Sequence, residues 1–441
     1  MAARSRILVA LLSVGCAQSA PRTGEPQPSV PSPALSVRPA QPPSAQPAAS
    51  IAPPTAPIDL EAKSKQLARR FIILDGHIDV PYRLWGSRDK AGKITEDVTQ
   101  RTAKGDFDFP RAKAGGLDAP FMSIYVPAKL ERGGAKKLAD QLIDLVEDIA
   151  KNSGDASRVA RSPAEVRENF ARGKLSLLLG MENGSPIEKK LENLKHFHGR
   201  GVRYITLAHS KDNHISDSSY DDRHTHKGLS PFGEKVVAEM NRLGILVDVS
   251  HLSDDAFWDV IGASKVPVIA SHSSCRHFTP GWARNMSDEM IQSLAKQGGV
   301  IQINFGSGFI DPKIQKSESQ RWRRRAAFLK KHKLESSDPS AKPLLEQFEK
   351  DHPASFATVE QVADHVDHVK KLAGVDHVGL GSDFDGVGDS LPTGLKDVSQ
   401  YPNLIKVLLE RGYSEAEIEK ICSGNVLRVW EAAERFAAGV R

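Results

Sequence analysis

The sequence predicts an α/β fold, a closed (β/α)₈ barrel of the TIM type carrying long βα insertions. Three observations predict it. Short apolar runs alternate with amphipathic helical stretches from Phe71 onward, the order that parallel pairing and a buried sheet require. Eight such runs occur, the number that closes a barrel of this kind. Several of them end in a side chain able to ligate a metal, at the end of the strand where such barrels build their sites. A doubly wound open sheet explains less well why polar residues from so many strands should converge.

The strands are expected at residues 71–79, 121–126, 175–182, 202–209, 245–251, 266–272, 299–305 and 376–383. Between them, 135–149 places Leu138, Leu142, Leu145, Val146 and Ile149 at helical spacing. Residues 231–243 and 287–297 read the same way, and helices over 398–411, 414–422 and 426–436 close the chain. Two stretches, 85–120 and 306–356, are too long for ordinary connections, and on this face of a barrel they are expected to form lids and pocket walls. The densest basic run, 321–333, carries Trp322 and Phe328 at helical spacing and reads as a solvated helix face.

The first strand ends in His77-Ile78-Asp79. Residues two apart on a strand point the same way, so imidazole and carboxylate face one spot. That donor pair suits a divalent metal such as zinc. Glu182, His209, His251 and His272 end four later runs, and the last strand leads into Ser382-Asp383-Phe384-Asp385. His77 with Asp79 can hold one metal and His251 with His272 a second. Glu182 can bridge them, one oxygen to each. Two cations so bridged stand about 3.5–4 Å apart, and water held between them becomes a hydroxide nucleophile near neutral pH.

The 441 residues are 39% hydrophobic and 26% charged, and the 60 Lys and Arg against 55 Asp and Glu leave a net charge of +5. These values suit a globular protein. No aromatic-interleaved basic face points to nucleic acid. Arg4 and Arg6 precede the apolar run 7–12, which is too short to span a bilayer. Ser13-Val14-Gly15-Cys16 follows and resembles a bacterial lipoprotein signal, with Ser13 where Leu is common. Residues 1–16 are therefore expected to be a signal segment ending at a lipidated Cys16. Residues 17–57, rich in Pro, Ala and Ser, are expected to be a disordered tether, and 58–441 the metal-dependent domain. The expected location is a bacterial cell envelope, lipid-anchored or otherwise periplasmic or secreted. Cys275 and Cys422 complete the three cysteines, too few and too far apart for a disulfide scaffold. A homodimer is compatible with the sequence.

Motifs join these residues in order: Asp75-Gly76-His77-Ile78-Asp79-Val80-Pro81, Gly180-Met181-Glu182-Asn183-Gly184, Tyr204-Ile205-Thr206-Leu207-Ala208-His209-Ser210, Gly228-Leu229-Ser230-Pro231-Phe232-Gly233, Asp248-Val249-Ser250-His251, Ser271-His272-Ser273-Ser274 and Gly379-Leu380-Gly381-Ser382-Asp383-Phe384-Asp385-Gly386. From about Phe71 to the C-terminus the chain resembles the membrane (renal) dipeptidases. The resemblance implies a zinc-dependent dipeptidase in the amidohydrolase-like superfamily. It implies that His77, Asp79 and Glu182 bind one zinc, and Glu182, His251 and His272 the other. His209 matches the family histidine that faces the substrate and stabilises the tetrahedral intermediate. Arg284 matches the arginine that grips the terminal carboxylate of the dipeptide, and Asp383 the aspartate proposed as proton shuttle. The chain departs from the family at Asn183, where Gly is frequent, and at Ser185, which replaces a common His. A related binuclear hydrolase acting on a lactone or cyclic amide would use the same metals. A non-catalytic surface binding protein on the same barrel would be marked by lost ligands, and none is lost.

Overall fold

The computed structural model describes residues 59–334 and 340–440. The expectations for residues 1–16, for 17–57 and for Cys16 lie outside the described residues.

Nine strands form one parallel sheet: β1 Ile73–Ile78, β2 Leu117–Tyr125, β3 Ser157–Val159, β4 Leu175–Glu182, β5 Val202–Thr206, β6 Leu246–Asp248, β7 Ile269–Ala270, β8 Val300–Ile303 and β9 Val378–Leu380. Eight of them close a barrel. β1 pairs with β2 and with β9, and β2 pairs with β4 from Phe121↔Leu178 to Tyr125↔Glu182. The pairing then runs without a break from β4 to β9. β3, which the sequence pattern did not reveal, lies on the outer side of the closure and pairs with β4 alone. Three residues are too few to show a period.

β4 runs from Leu175 to Glu182 as expected, whereas the other barrel strands are shorter than expected at their C-terminal ends. His209, His251, His272 and Asp383 sit in the turns beyond β5, β6, β7 and β9 rather than on the strands. Beyond the ladder the backbone is free to turn, so these side chains can lean over the barrel mouth. The long stretches are also not structureless. Residues 85–120 contain the helix Phe109–Gly115 and the start of β2, and 306–356 contain the helices Ser307–Ile310, Pro312–His332 and Ala341–Asp351.

Helix ends follow local chemistry. In Pro231–Leu243, Ser230 caps the amide of Gly233, Pro231 takes the first position, and Gly244 ends the helix at φ 79°. The opposite end of the barrel is plugged by the last helix, Asn425–Gly439. Its Trp430 is fully buried against Phe121, ring centroids 5.7 Å apart, in a cluster with Leu74, Leu178, Tyr204 and Leu246 from inside the barrel. The plug leaves one open end, the one that carries the polar turns. Cys275 and Cys422 are both buried free thiols. Among the described residues no helix is long and apolar enough to cross a membrane.

Candidate metal centre

A bulge sets the first candidate ligand. Between Asp75 and Ile78, β1 takes three steps where β2 takes two. Asp75 faces outward and accepts from the Tyr401 hydroxyl at 2.5 Å. The extra residue turns His77 inward, where its Nδ1 lies 2.7 Å from the Tyr204 hydroxyl. Tyr204 reaches it from β5 by lying across Gly180, where a Cβ would meet its ring at 2.1 Å. Asp79 occupies the N-cap position of the helix Val80–Gly86 but caps nothing. Its Oδ2 instead stands 3.3 Å from His77 Nε2.

Glu182 ends β4 with its two oxygens divided. Oε2 is 3.5 Å from His77 Nε2, while Oε1 is 3.2 Å from His251 Nε2 and 3.4 Å from His272 Nε2. His209 Nε2 also stands 3.4 Å from Oε1. The His209 ring packs edge-on against Tyr125 at 4.8 Å and is the most accessible of the four histidines. Asp383 is held by its backbone, whose amide donates to His77 O at 3.0 Å. The Asp79 amide donates to Phe384 O at 2.9 Å. Asn304 Nδ2 donates to Asp383 Oδ2 at 2.7 Å. Ligand atoms of His77, Asp79 and Asp383 lie within 4.8 Å of one another, as do those of His77, Glu182 and His272 and those of Glu182, His209 and His251.

Strained backbone marks the same positions. Asn183, His251, Asp383 and Asp385 all have φ between 63° and 78°. Non-glycine residues rarely adopt this region, and such residues recur at functional sites. It also accounts for Asn183. A left-handed position favours Gly, and Asn is among the few alternatives that tolerate it. Here its side chain is tied at both ends, donating to Val126 O at 2.8 Å and accepting from Asn213 Nδ2 at 2.9 Å.

The electrostatics suit a cation. Burial pushes the His251 and His272 rings well below the usual histidine range, helped by Arg284 beside the first and His77 beside the second. Both are therefore neutral donors. Burial alone would lower His77 too, but Tyr204, Glu182 and Asp79 hold it well above its usual range. Burial opposes ionisation of Glu182, yet the His209 and His77 charges hold it well below the carboxylate range. Burial pushes the Asp383 carboxyl up to about 7. Buried His77 Nε2 makes no hydrogen bond, although it faces two carboxylates. A buried imidazole nitrogen with no hydrogen bond, set among carboxylate oxygens, fits a metal donor set.

A second set of residues orients the first, and of these only Arg284 has a role expected from the sequence. Asp248 accepts from Ser271 Oγ at 2.7 Å and Thr206 Oγ1 at 2.5 Å, and Ser271 Oγ contacts His272 Nδ1 at 2.7 Å. This chain fixes the His272 tautomer and leaves Nε2 to the site. Arg284 is buried, with Nη1 donating to Ser273 Oγ at 2.8 Å, Nη2 to His272 O at 2.9 Å, and Nε unpartnered. Asp248, Ser271 and Tyr204 lie inside the quoted motifs, but the contact of Tyr204 with His77 and the place of Asn304 are visible only once the barrel is closed.

The family model of the membrane dipeptidases, peptidase family M19, matches residues 61–441. The chain belongs to this family. Dipeptidase tcpJ of Claviceps purpurea (strain 20.1) is 36% identical over 345 residues, covering 76% of this chain and 71% of the relative. Dipeptidase 3 of Mus musculus is 32% identical over 381 residues, covering 85% and 67%. Among solved structures, the probable dipeptidase PvdM from Pseudomonas aeruginosa has a TM-score of 0.70 at 26% identity, covering 86% of this chain and 99% of that one. A metallo peptidase from Rhodobacter sphaeroides, liganded with a phosphinate mimic of the dipeptide L-Ala-D-Ala, has a TM-score of 0.66 at 25% identity, covering 82% and 99%. As a member of the M19 dipeptidases, the chain is a metal-dependent, dipeptide-hydrolysing enzyme, and the clusters around Glu182 are its candidate binuclear centre.

Proposed function

We propose that this dipeptidase works with two zinc ions bridged by Glu182, one held by His77 and Asp79 and the other by His251 and His272. The observation that carries the proposal is the division of Glu182, Oε2 toward His77 and Oε1 toward His251 and His272. A carboxylate between two nitrogen-rich groups is the arrangement a bridging ligand needs. Nitrogen and carboxylate donors without thiolate suit zinc.

When bound, such a metal pair polarises the scissile carbonyl and eases deprotonation of water. The remaining work falls to the protein. Arg284 offers its free Nε–H to the terminal carboxylate and so sets which bond reaches Glu182. His209 Nε2, at the accessible edge of the site, donates to the oxygen that gains charge in the transition state. Asp383 accepts a proton at its carboxylate from the attacking water and passes it to the departing amine. Burial pushes this carboxyl up toward neutral pH, and cations beside it would favour the charged, proton-accepting form. The dipeptide mimic held by the Rhodobacter sphaeroides neighbour supports a dipeptide-sized pocket.

We place the protein in the bacterial cell envelope, with lipid on Cys16 as its membrane tie. Metal-depleted enzyme reconstituted with zinc should hydrolyse a panel of dipeptides and leave lactones and cyclic amides intact. Preferential turnover of a lactone or cyclic amide would overturn the substrate assignment.

A further inference from the structure

A third donor cluster lies away from Glu182. His277 follows β7, Asp288 opens the helix Asp288–Lys296, and His368 lies on the helix Val359–Ala373. One ligand atom from each falls within 4.8 Å of the others. His368 Nε2 and Asp288 Oδ1 are 2.8 Å apart. The His277 and His368 rings stack at 4.3 Å with 21° between their planes. His277 is exposed, so the cluster opens to solvent.

We propose that His277, Asp288 and His368 form a separate site for a borderline divalent cation of the zinc class. Two imidazoles and one carboxylate make a donor set for such an ion, with water completing the shell. Neighbouring His365 is excluded from it. Its Nδ1 accepts from the Cys275 amide at 3.0 Å and its Nε2 meets Ile310 O at 3.1 Å. Among the described residues His368 makes no such second tie to the backbone, so its ring and Asp288 can open their direct contact to admit an ion while the exposed His277 ring turns toward it.

The position gives the site a purpose. Residues 275–286 form a loop whose stems are paired through Cys275↔Met286 and through Arg276 N to Met286 O at 2.8 Å. His277 stands just inside one stem and Asp288 just beyond the other. The loop carries Arg284. An ion joining His277 and Asp288, and both to His368 on another helix, clasps the base of that loop and holds the arginine in place. His277, Asp288 and His368 are positioning residues in this scheme.

Untagged full-length protein, stripped by chelator, is titrated with zinc by calorimetry beside His277→Ala and His368→Ala. Wild type should take up one equivalent more than either variant. His277 is exposed, so its variant should fold even if the half-buried His368 tolerates change poorly. The comparison reads a difference, so it stands whether or not the central site holds two ions. Hydrogen exchange over residues 275–286 should slow when wild type takes up its last equivalent, and should not respond in His277→Ala. Equal stoichiometry in wild type and His277→Ala overturns the site. An extra equivalent that leaves exchange of the loop unchanged overturns the clasp.

Discussion

His251 Nε2 and His272 Nε2 stand 2.8 Å apart, both beside Glu182 Oε1. Two bare imidazole lone pairs repel at that distance, so a proton or a cation must lie between or beside them. Burial keeps both rings out of the doubly protonated state near neutral pH. His272 is further constrained, because Ser271 engages its Nδ1. The two nitrogens thus converge on one point beside Glu182, where an ion could replace the shared proton, and this is the central feature of the proposed chemistry.

Asp383 is the proposed proton carrier, and Asn304 holds one of its oxygens at 2.7 Å. Asp383→Asn keeps the shape and removes the base. Turnover should fall by roughly 10²–10⁴-fold, the usual worth of a general acid–base group. Metal content should stay near that of wild type. Loss of metal in this variant would make Asp383 a ligand instead, and an unchanged rate would remove it from the mechanism.

Arg284 should read the free carboxylate of the substrate. Capping a dipeptide as its amide removes a charge-assisted hydrogen bond, and transition-state binding should weaken by about 1.5–3 kcal/mol. A tripeptide should be poor because its carboxylate lies one residue too far. Kinetics on a dipeptide, its amide and the matching tripeptide check this, and equal kcat/KM for all three would show that the pocket ignores the group.

Much of this was legible in the sequence, for identifiable reasons. Period and spacing revealed the barrel because each of its strands is an apolar run punctuated by Gly or a polar turn, as at Gly379-Leu380-Gly381. The candidate ligands were legible because His77, Asp79, Glu182, His251 and His272 each follow such a run. The strand ends were not, because β7 keeps only Ile269–Ala270 in its ladder, and propensity cannot separate a strand from the extended turn after it. The bulge that turns His77 inward was hidden as well, since a two-residue period assumes a regular strand. Tyr204 reaches His77 from 127 residues away, a relation only closure creates.

Asp118, near the start of β2, gives a pH test remote from the metals. Burial pushes its carboxyl from the ordinary 3.8 up to about 7, opposed only by the Ile73 amide, which donates to it at 3.0 Å. Between those values the folded protein holds a proton that the unfolded chain has lost, so stability falls as pH rises through this window. Asp118→Asn keeps an acceptor for Ile73 and never ionises. Relative to wild type it should be more stable at pH 8 by about 1 kcal/mol or more, with a smaller gap at pH 5. Calorimetry at both values checks it, and a gap independent of pH would contradict the assignment.

Anchoring is tested at the mature N-terminus. If the segment before Cys16 is a lipoprotein signal, the mature protein begins at Cys16 with added lipid mass and fractionates with membranes. Intact-mass spectrometry decides. Cleavage at another bond, with Cys16 absent or unmodified, would leave a secreted enzyme.

Metal content of Glu182→Gln, measured beside wild type by elemental analysis, tests the bridge most directly. Glutamine offers one amide oxygen in place of two carboxylate oxygens, so a bridging role predicts that both sites fail together. Wild type should carry about two zinc ions more than the variant, which should lose most of both barrel-mouth ions along with its activity. A Glu182→Gln protein with wild-type zinc content and turnover would contradict the account.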